Sequence, residues 1–109
     1  MKNFILLLFI SFSSITFANT WSGSVVGSIA NIDVAPGENY GFRVSLIGQP
    51  PLCGNQHTWA YLQESDSNYH TFVSVILAAK MSDKKIQLYT RKKDNADSGY
   101  CHIGYIVLL

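Results

Sequence analysis

The chain has 109 residues, of which 48% are hydrophobic and 14% charged, with 8 Lys and Arg against 7 Asp and Glu. That balance excludes a disordered tail, a polybasic nucleic-acid binder and an acidic solvating segment. The length admits one domain of two packed layers and excludes a multidomain enzyme.

Lys2 precedes an apolar run from Phe4 to Ile10, followed by a Ser-rich stretch that ends in Thr16-Phe17-Ala18. A short basic start, an apolar centre and small residues ahead of a cleavage point predict a secretory signal over residues 1–18. The run is too short and too Ser-broken to span a bilayer comfortably. Residues 19–109 are then the single mature domain. Without Lys2, seven basic residues balance seven acidic ones, so nothing steers the mature chain toward nucleic acid or another polyanion. No later apolar segment approaches the ~20 residues of a membrane span. The expectation is an exported, soluble protein, periplasmic or extracellular, with no membrane span in its mature chain.

Export sets the reading of Cys53 and Cys101, since an oxidising compartment turns an even cysteine count into a disulfide. A bridge between them would stabilise the fold by about 4 kcal/mol in the chain-entropy model. A Cys/His metal site drawing on His57 or His102 lacks the paired short spacings such sites use.

Residues 21–34 read as a long first strand with Gly23 and Gly27 inside its apolar pattern, which predicts a bulge or sharp coil that lets one strand serve two sheets. Ala35-Pro36-Gly37-Glu38-Asn39 is a turn, with Pro36 fixing one corner and Gly37 available for positive φ. A second strand follows over residues 40–47, with Phe42, Val44 and Leu46 on one face and Arg43, Ser45 and Ile47 on the other. A third is expected over residues 57–63, with Trp59 and Tyr61 sharing a face. Ser65 or Asp66 is a good helix N-cap, and Tyr69, Phe72, Val73, Ile76 and Leu77 fall at the spacing of a buried stripe ending near residues 81–83. The fourth strand, 85–91, alternates Ile86, Leu88 and Thr90 against Gln87, Tyr89 and Arg91. A polar loop over residues 92–99 leads into the last strand, 100–109. The fold class is mostly β with one helix, β-β-β-α-β-β. That order predicts an OB-fold-like five-stranded Greek-key barrel.

The Gly-containing first strand, the helix with its Asp66-Ser67-Asn68-Tyr69 entry and the cysteine-tied final strand resemble small secreted bacterial OB-fold proteins, including the binding (B) subunits of AB5 toxins. The resemblance spans most of the mature chain and rests on element order. It implies glycan or host-surface recognition and a ring-forming subunit. In cholera-type binding subunits one cysteine lies in an N-terminal helix and the other precedes a tryptophan. Here Cys101 precedes His102, and the tryptophans are Trp21 and Trp59, so no family binding residue carries over.

No catalytic residue is assigned. A nucleophilic triad needs a Ser, Cys or Thr, a base and an orienting group in one place; no Gly-x-Ser-x-Gly elbow occurs, and both thiols are assigned to the disulfide. His57, His70 and His102 show no ligand spacing, and the 94–97 loop lacks the glycine and glutamate of an EF-hand, so no metal and no cofactor are expected. His70 is placed on the outer helix face, His102 on a strand surface or satisfied in the core. Lys84-Lys85 and Arg91-Lys92-Lys93 read as solvated strand ends.

What remains is noncovalent recognition. Aromatic faces with nearby amides and hydroxyls suit sugar stacking and protein contact, against the alternative that they fill a small barrel. The candidate ligand-binding residues are Tyr40, His57, Trp59, Tyr89 and Tyr100, with the segments 54–57 and 92–98 as contact loops. The partner is a glycan or another protein, with self-association into a ring through the edge of the last strand as a further expectation. The alternative is a periplasmic inhibitor or immunity-type protein.

Overall fold

The structure, a computed structural model, describes residues 21–109. The secretory signal expected over residues 1–18 lies outside the described residues. Five strands and one α-helix follow in the expected order: β1 Gly23–Val34, β2 Phe42–Leu46, β3 Trp59–Leu62, α1 Tyr69–Ser82, β4 Lys85–Lys92 and β5 Cys101–Leu108, with a short 3-10 turn at Lys93–Asn95.

The strands close on themselves in the order β1-β2-β3-β5-β4. Pairing is antiparallel except between β3 and β5, which run parallel through Ala60↔Cys101 and Tyr61↔His102. β1 serves both halves of the ring. Its first part, Gly23 to Ser28, pairs with β4, and its second part, Ile29 to Val34, pairs with β2. The register slips between Ile29 and Asn31, so the irregularity lies beyond Gly27 and not at either glycine. Backbone carbonyls exposed there are taken up from the helix, where Lys80 Nζ donates to the Ile29 and Ala30 oxygens at 3.4 and 3.3 Å. The two glycines answer a different need. A Cβ on Gly23 would collide with the backbone of Leu52 and Cys53, and one on Gly27 would press on the Leu46 side chain at 3.3 Å.

Inside the ring lie the faces assigned by alternation: Phe42, Val44 and Leu46 from β2, Ala60 and Leu62 from β3, Ile86 and Leu88 from β4, and Cys101 and Ile103 from β5. Thr90 is the polar member of this interior, wholly buried, and its hydroxyl donates to the Leu52 carbonyl. The Cys53–Cys101 disulfide joins the β2–β3 connection to the start of β5 across a sequence separation of 48. No helix among the described residues is long and apolar enough to cross a membrane.

The helix differs from expectation at its start. It begins at Tyr69 behind Asn68, which sits in the left-handed region at φ 64 and makes no side-chain cap. Asp66 is already used: its carboxylate accepts the Gln63 N–H at 2.8 Å and meets His102 Nε2 at 2.8 Å, which holds residues 63–66 in a turn and delays helix entry. Ile76 and Ala79 form the buried centre of the helix face, flanked by Tyr69, Phe72 and Val73, whereas Leu77 remains 45% exposed.

The first hairpin also turns differently. Gly37 is not at positive φ; Tyr40 is, at 52°. A bulky side chain in that region is strained unless its surroundings hold it. Here Arg43 donates from Nε to the Tyr40 carbonyl at 2.8 Å, and Gln63 Oε1 accepts the Tyr40 N–H at 3.2 Å.

Candidate functional site

Side chains at odd positions 43, 59 and 61, with His102 on β5, point away from the ring interior because their even-numbered neighbours fill it. The row Arg43·Tyr61·His102·Arg91 therefore crosses the outside of β2, β3, β5 and β4 in register. Around it the aromatic residues fall into two clusters.

The first cluster gathers four of the five predicted ligand-binding residues. Trp59 and Tyr100 lie 4.8 Å apart between ring centroids, His57 is 5.0 Å from Tyr100, and Tyr40 meets Tyr100 edge-on at 5.0 Å. Tyr40 also packs edge-on against Tyr61 at 4.7 Å, and His102 stacks on Tyr61 at 4.8 Å. Arg43 completes the group. Its guanidinium sits 5.0 Å above the Trp59 ring, close enough for a cation–π contact, while donating to the backbone of Asn39 and Tyr40. Tyr100 is the exposed member at 37%, whereas Tyr61 retains only 3%. Desolvation, followed by the electrostatic influence of Tyr40, Asp66 and Asp94, pushes the Tyr61 phenol up to about 12.

Tyr89 stands apart from the other four. It belongs to a second cluster with Trp21 at 5.8 Å and Tyr105 at 5.2 Å, where Arg91 lies 4.0 Å over the Trp21 ring. Trp21, Tyr89, Tyr105 and Val107 line a groove of about 290 Å³. Gly104 permits this arrangement, because a Cβ there would enter the Trp21 ring.

The two loops predicted as contact surfaces are one structure. Asn55 Nδ2 donates to the carbonyls of Asp97 and Gly99 at 3.0 and 2.8 Å, its Oδ1 accepts the His57 N–H at 3.0 Å, and His57 Nε2 faces the Ser98 carbonyl at 2.9 Å. With the disulfide beside them, these bonds fix His57 and Tyr100 against Trp59.

Sequence reasoning missed Arg43, Tyr61, His102 and Asp66 as members of the site. Arg43 carried a signal, being the one cation on the outer face of β2. The Arg91-Lys92-Lys93 run, read as a solvated strand end, does lie at the solvent-accessible end of β4 and there lines a pocket with Tyr61 and His102. Lys92 pairs with Asp97 at 3.2 Å and Lys93 with Asp94 at 3.1 Å; the latter bond raises the Lys93 pKa. His70 lies on the exposed side of the helix, as expected. Among the described residues no group of three His, Cys, Asp or Glu side chains converges to hold a metal.

The arrangement presents flat apolar rings edged with hydroxyl, imidazole and guanidinium donors, on an outer wall held by a disulfide and by cross-loop hydrogen bonds. Surfaces of this chemistry are suited to stacking and directed hydrogen bonding. Comparison with known protein families, curated proteins and solved structures finds no match to the chain.

Proposed function

We propose that the protein is an exported, non-catalytic binding module on an OB-fold barrel, which recognises a glycan or host surface in the manner of the AB5-toxin binding subunits. The observation that carries this reading is the convergence of Tyr40, His57, Trp59 and Tyr100 on one outer face, with Arg43 over Trp59. A sugar ring offers an apolar face and a rim of hydroxyls, and this surface offers an aromatic face and a rim of donors. The OB assignment is supported by the strand order 1-2-3-5-4, the parallel β3–β5 closure and a helix between β3 and β4.

The ring-forming part of the proposal draws on the edge of β5. Its pairing with β3 involves only Cys101 and His102. Further on, Leu109 donates its N–H to the Lys85 carbonyl at 3.1 Å, so by alternation the backbone groups of Ile106 and Leu108 point away from β4. A strand edge of this kind is a template for another strand.

Two measurements test the proposal. Saccharide-bead retention by the wild type and its loss in Trp59→Ala would support the glycan reading; equal behaviour of the two proteins would overturn it. The native mass of the disulfide-bonded protein, read by light scattering on a sizing column, should be that of a discrete ring. The open β5 edge also favours a second reading, an inhibitor or immunity-type protein that binds another chain. That reading predicts a monomer which forms a one-to-one complex with its target and ignores sugars.

A further inference from the structure

Between the two aromatic clusters the outer wall carries a pocket of about 510 Å³, bounded on one side by Tyr61 and His102 and on the other by Arg91, Lys92 and Lys93. Three of the chain's 8 basic residues meet at this concavity, in a protein whose formal charge is only +1. Asp94 also borders it.

The carboxylates nearby do not close the pocket. Asp97 and Asp94, the partners of Lys92 and Lys93, have side chains 103% and 79% exposed. Ion pairs so exposed contribute little stability and exchange readily for another oxyanion. Asp66, only 18% exposed, is bound to His102 and holds that imidazole against Tyr61. On the far side, Arg91 is held over Trp21. One wall is therefore fixed by stacking, and the other carries two ammonium groups on flexible stems.

Register ties this pocket to the glycan face. Arg91 pairs with His102, His102 with Tyr61 and Tyr61 with Arg43, so three interstrand steps of about 4.8 Å separate the row's two arginines. Trp59 precedes Tyr61 by two residues on β3, so a ligand stacked on Trp59 and Tyr100 would share the outer wall with the basic pocket. Building on the glycan reading above, we propose that the pocket seats an oxyanion, carboxylate or sulfate, carried by the saccharide that stacks on Trp59 and Tyr100. Charge-assisted hydrogen bonds from Arg91, Lys92 and Lys93 would then discriminate acidic from neutral sugars.

The test is an NMR titration of the isotope-labelled, disulfide-bonded protein with galactose, galacturonic acid, a sulfated galactose and inorganic sulfate. The expected result is that at least one charged sugar binds about tenfold or more tightly than galactose, which is what one added charge-assisted bond supplies. Amide shifts should extend over residues 91–95 and 102, the advantage should shrink with added salt, and the Lys92→Gln/Lys93→Gln variant should lose it. The tighter of the two acidic sugars names the oxyanion. Equal affinity for charged and neutral sugars, or shifts confined to Trp59 and Tyr100, would overturn the oxyanion site while leaving the glycan reading intact. If no sugar binds but inorganic sulfate shifts residues 91–95, the oxyanion site stands and the glycan reading falls; silence toward sulfate as well overturns the oxyanion site.

Discussion

The imidazole of His102 lies flat on the Tyr61 ring, with 4.8 Å between centroids and 10° between planes, while its Nε2 meets the Asp66 carboxylate at 2.8 Å. Tyr61 points outward from the ring of strands and is nevertheless 3% exposed, because His102 and Tyr40 roof it. The outer wall is two side chains deep here, so groups that are surface residues by strand alternation acquire interior properties.

Stability should therefore decline in alkali through Tyr61. Its phenol ionises near 10.0 when unperturbed and at about 12 in the fold. Below pH ~10 both states hold the proton and the contribution is complete; between ~10 and ~12 the unfolded chain loses its proton first, so stability falls as pH rises. Urea midpoints measured across this window should fall less steeply in Tyr61→Phe than in the wild type. Identical slopes would show that Tyr61 does not titrate differently in the fold.

Removing the bridge with Cys53→Ala and Cys101→Ala should lower stability by about 4 kcal/mol, the chain-entropy value for a loop of 48 residues. Both cysteines are fully buried, so lost packing adds to the effect. Denaturant unfolding of the double variant beside the oxidised wild type measures it, and an unchanged midpoint would contradict the assignment.

Gly23→Ala and Gly104→Ala should behave oppositely. At Gly23 the new methyl meets backbone, the Leu52 carbonyl and Cys53 Cα, next to the disulfide. The chain must shift, and a loss of about 1–3 kcal/mol is expected, as for other overpacked sites. At Gly104 the obstacle is the outer end of the Trp21 ring, which can swing aside. That variant should keep nearly full stability while changing tryptophan fluorescence, as Trp21 leaves Tyr89 and Tyr105.

Asn55→Ala should cost about 1–2 kcal/mol, since one side chain donates to two carbonyls and accepts from the His57 amide. Its more telling effect is local. Hydrogen exchange should accelerate over residues 55–57 and 97–100, and any affinity that depends on Trp59 and Tyr100 should fall with it.

The interior of this fold was legible because strand alternation is a local property. Phe42, Val44 and Leu46, or Ile86, Leu88 and Thr90, can be assigned inward from sequence spacing alone, and all six are buried. The cysteine pair was legible because an even cysteine count was read on the expectation of an oxidising compartment, and the two cysteines are bridged. The site was only partly so, because its members come from distant segments: Tyr40 and Tyr100 meet through the parallel closure of β3 on β5, and no local pattern announces that contact. Asp66 was misread for a related reason. Its cap-forming chemistry was recognised, but its Oδ2 is shared by the Gln63 N–H and by His102, a residue 36 positions away. Tyr89 went to the other cluster because β4 borders β1 and β5 and does not touch β3.

β5, the last of the five described strands, is also the piece that fits between β3 and β4 and closes the ring. Until it is available, Cys53 has no partner, Ala60 and Tyr61 have an unpaired edge, and Tyr100 cannot reach Trp59. Whatever the order in which the other strands form, the sheet remains open and unlocked until β5 is in place. Completion of the fold, formation of the disulfide and assembly of the aromatic face become a single late event, and a truncation that removes β5 abolishes all three together.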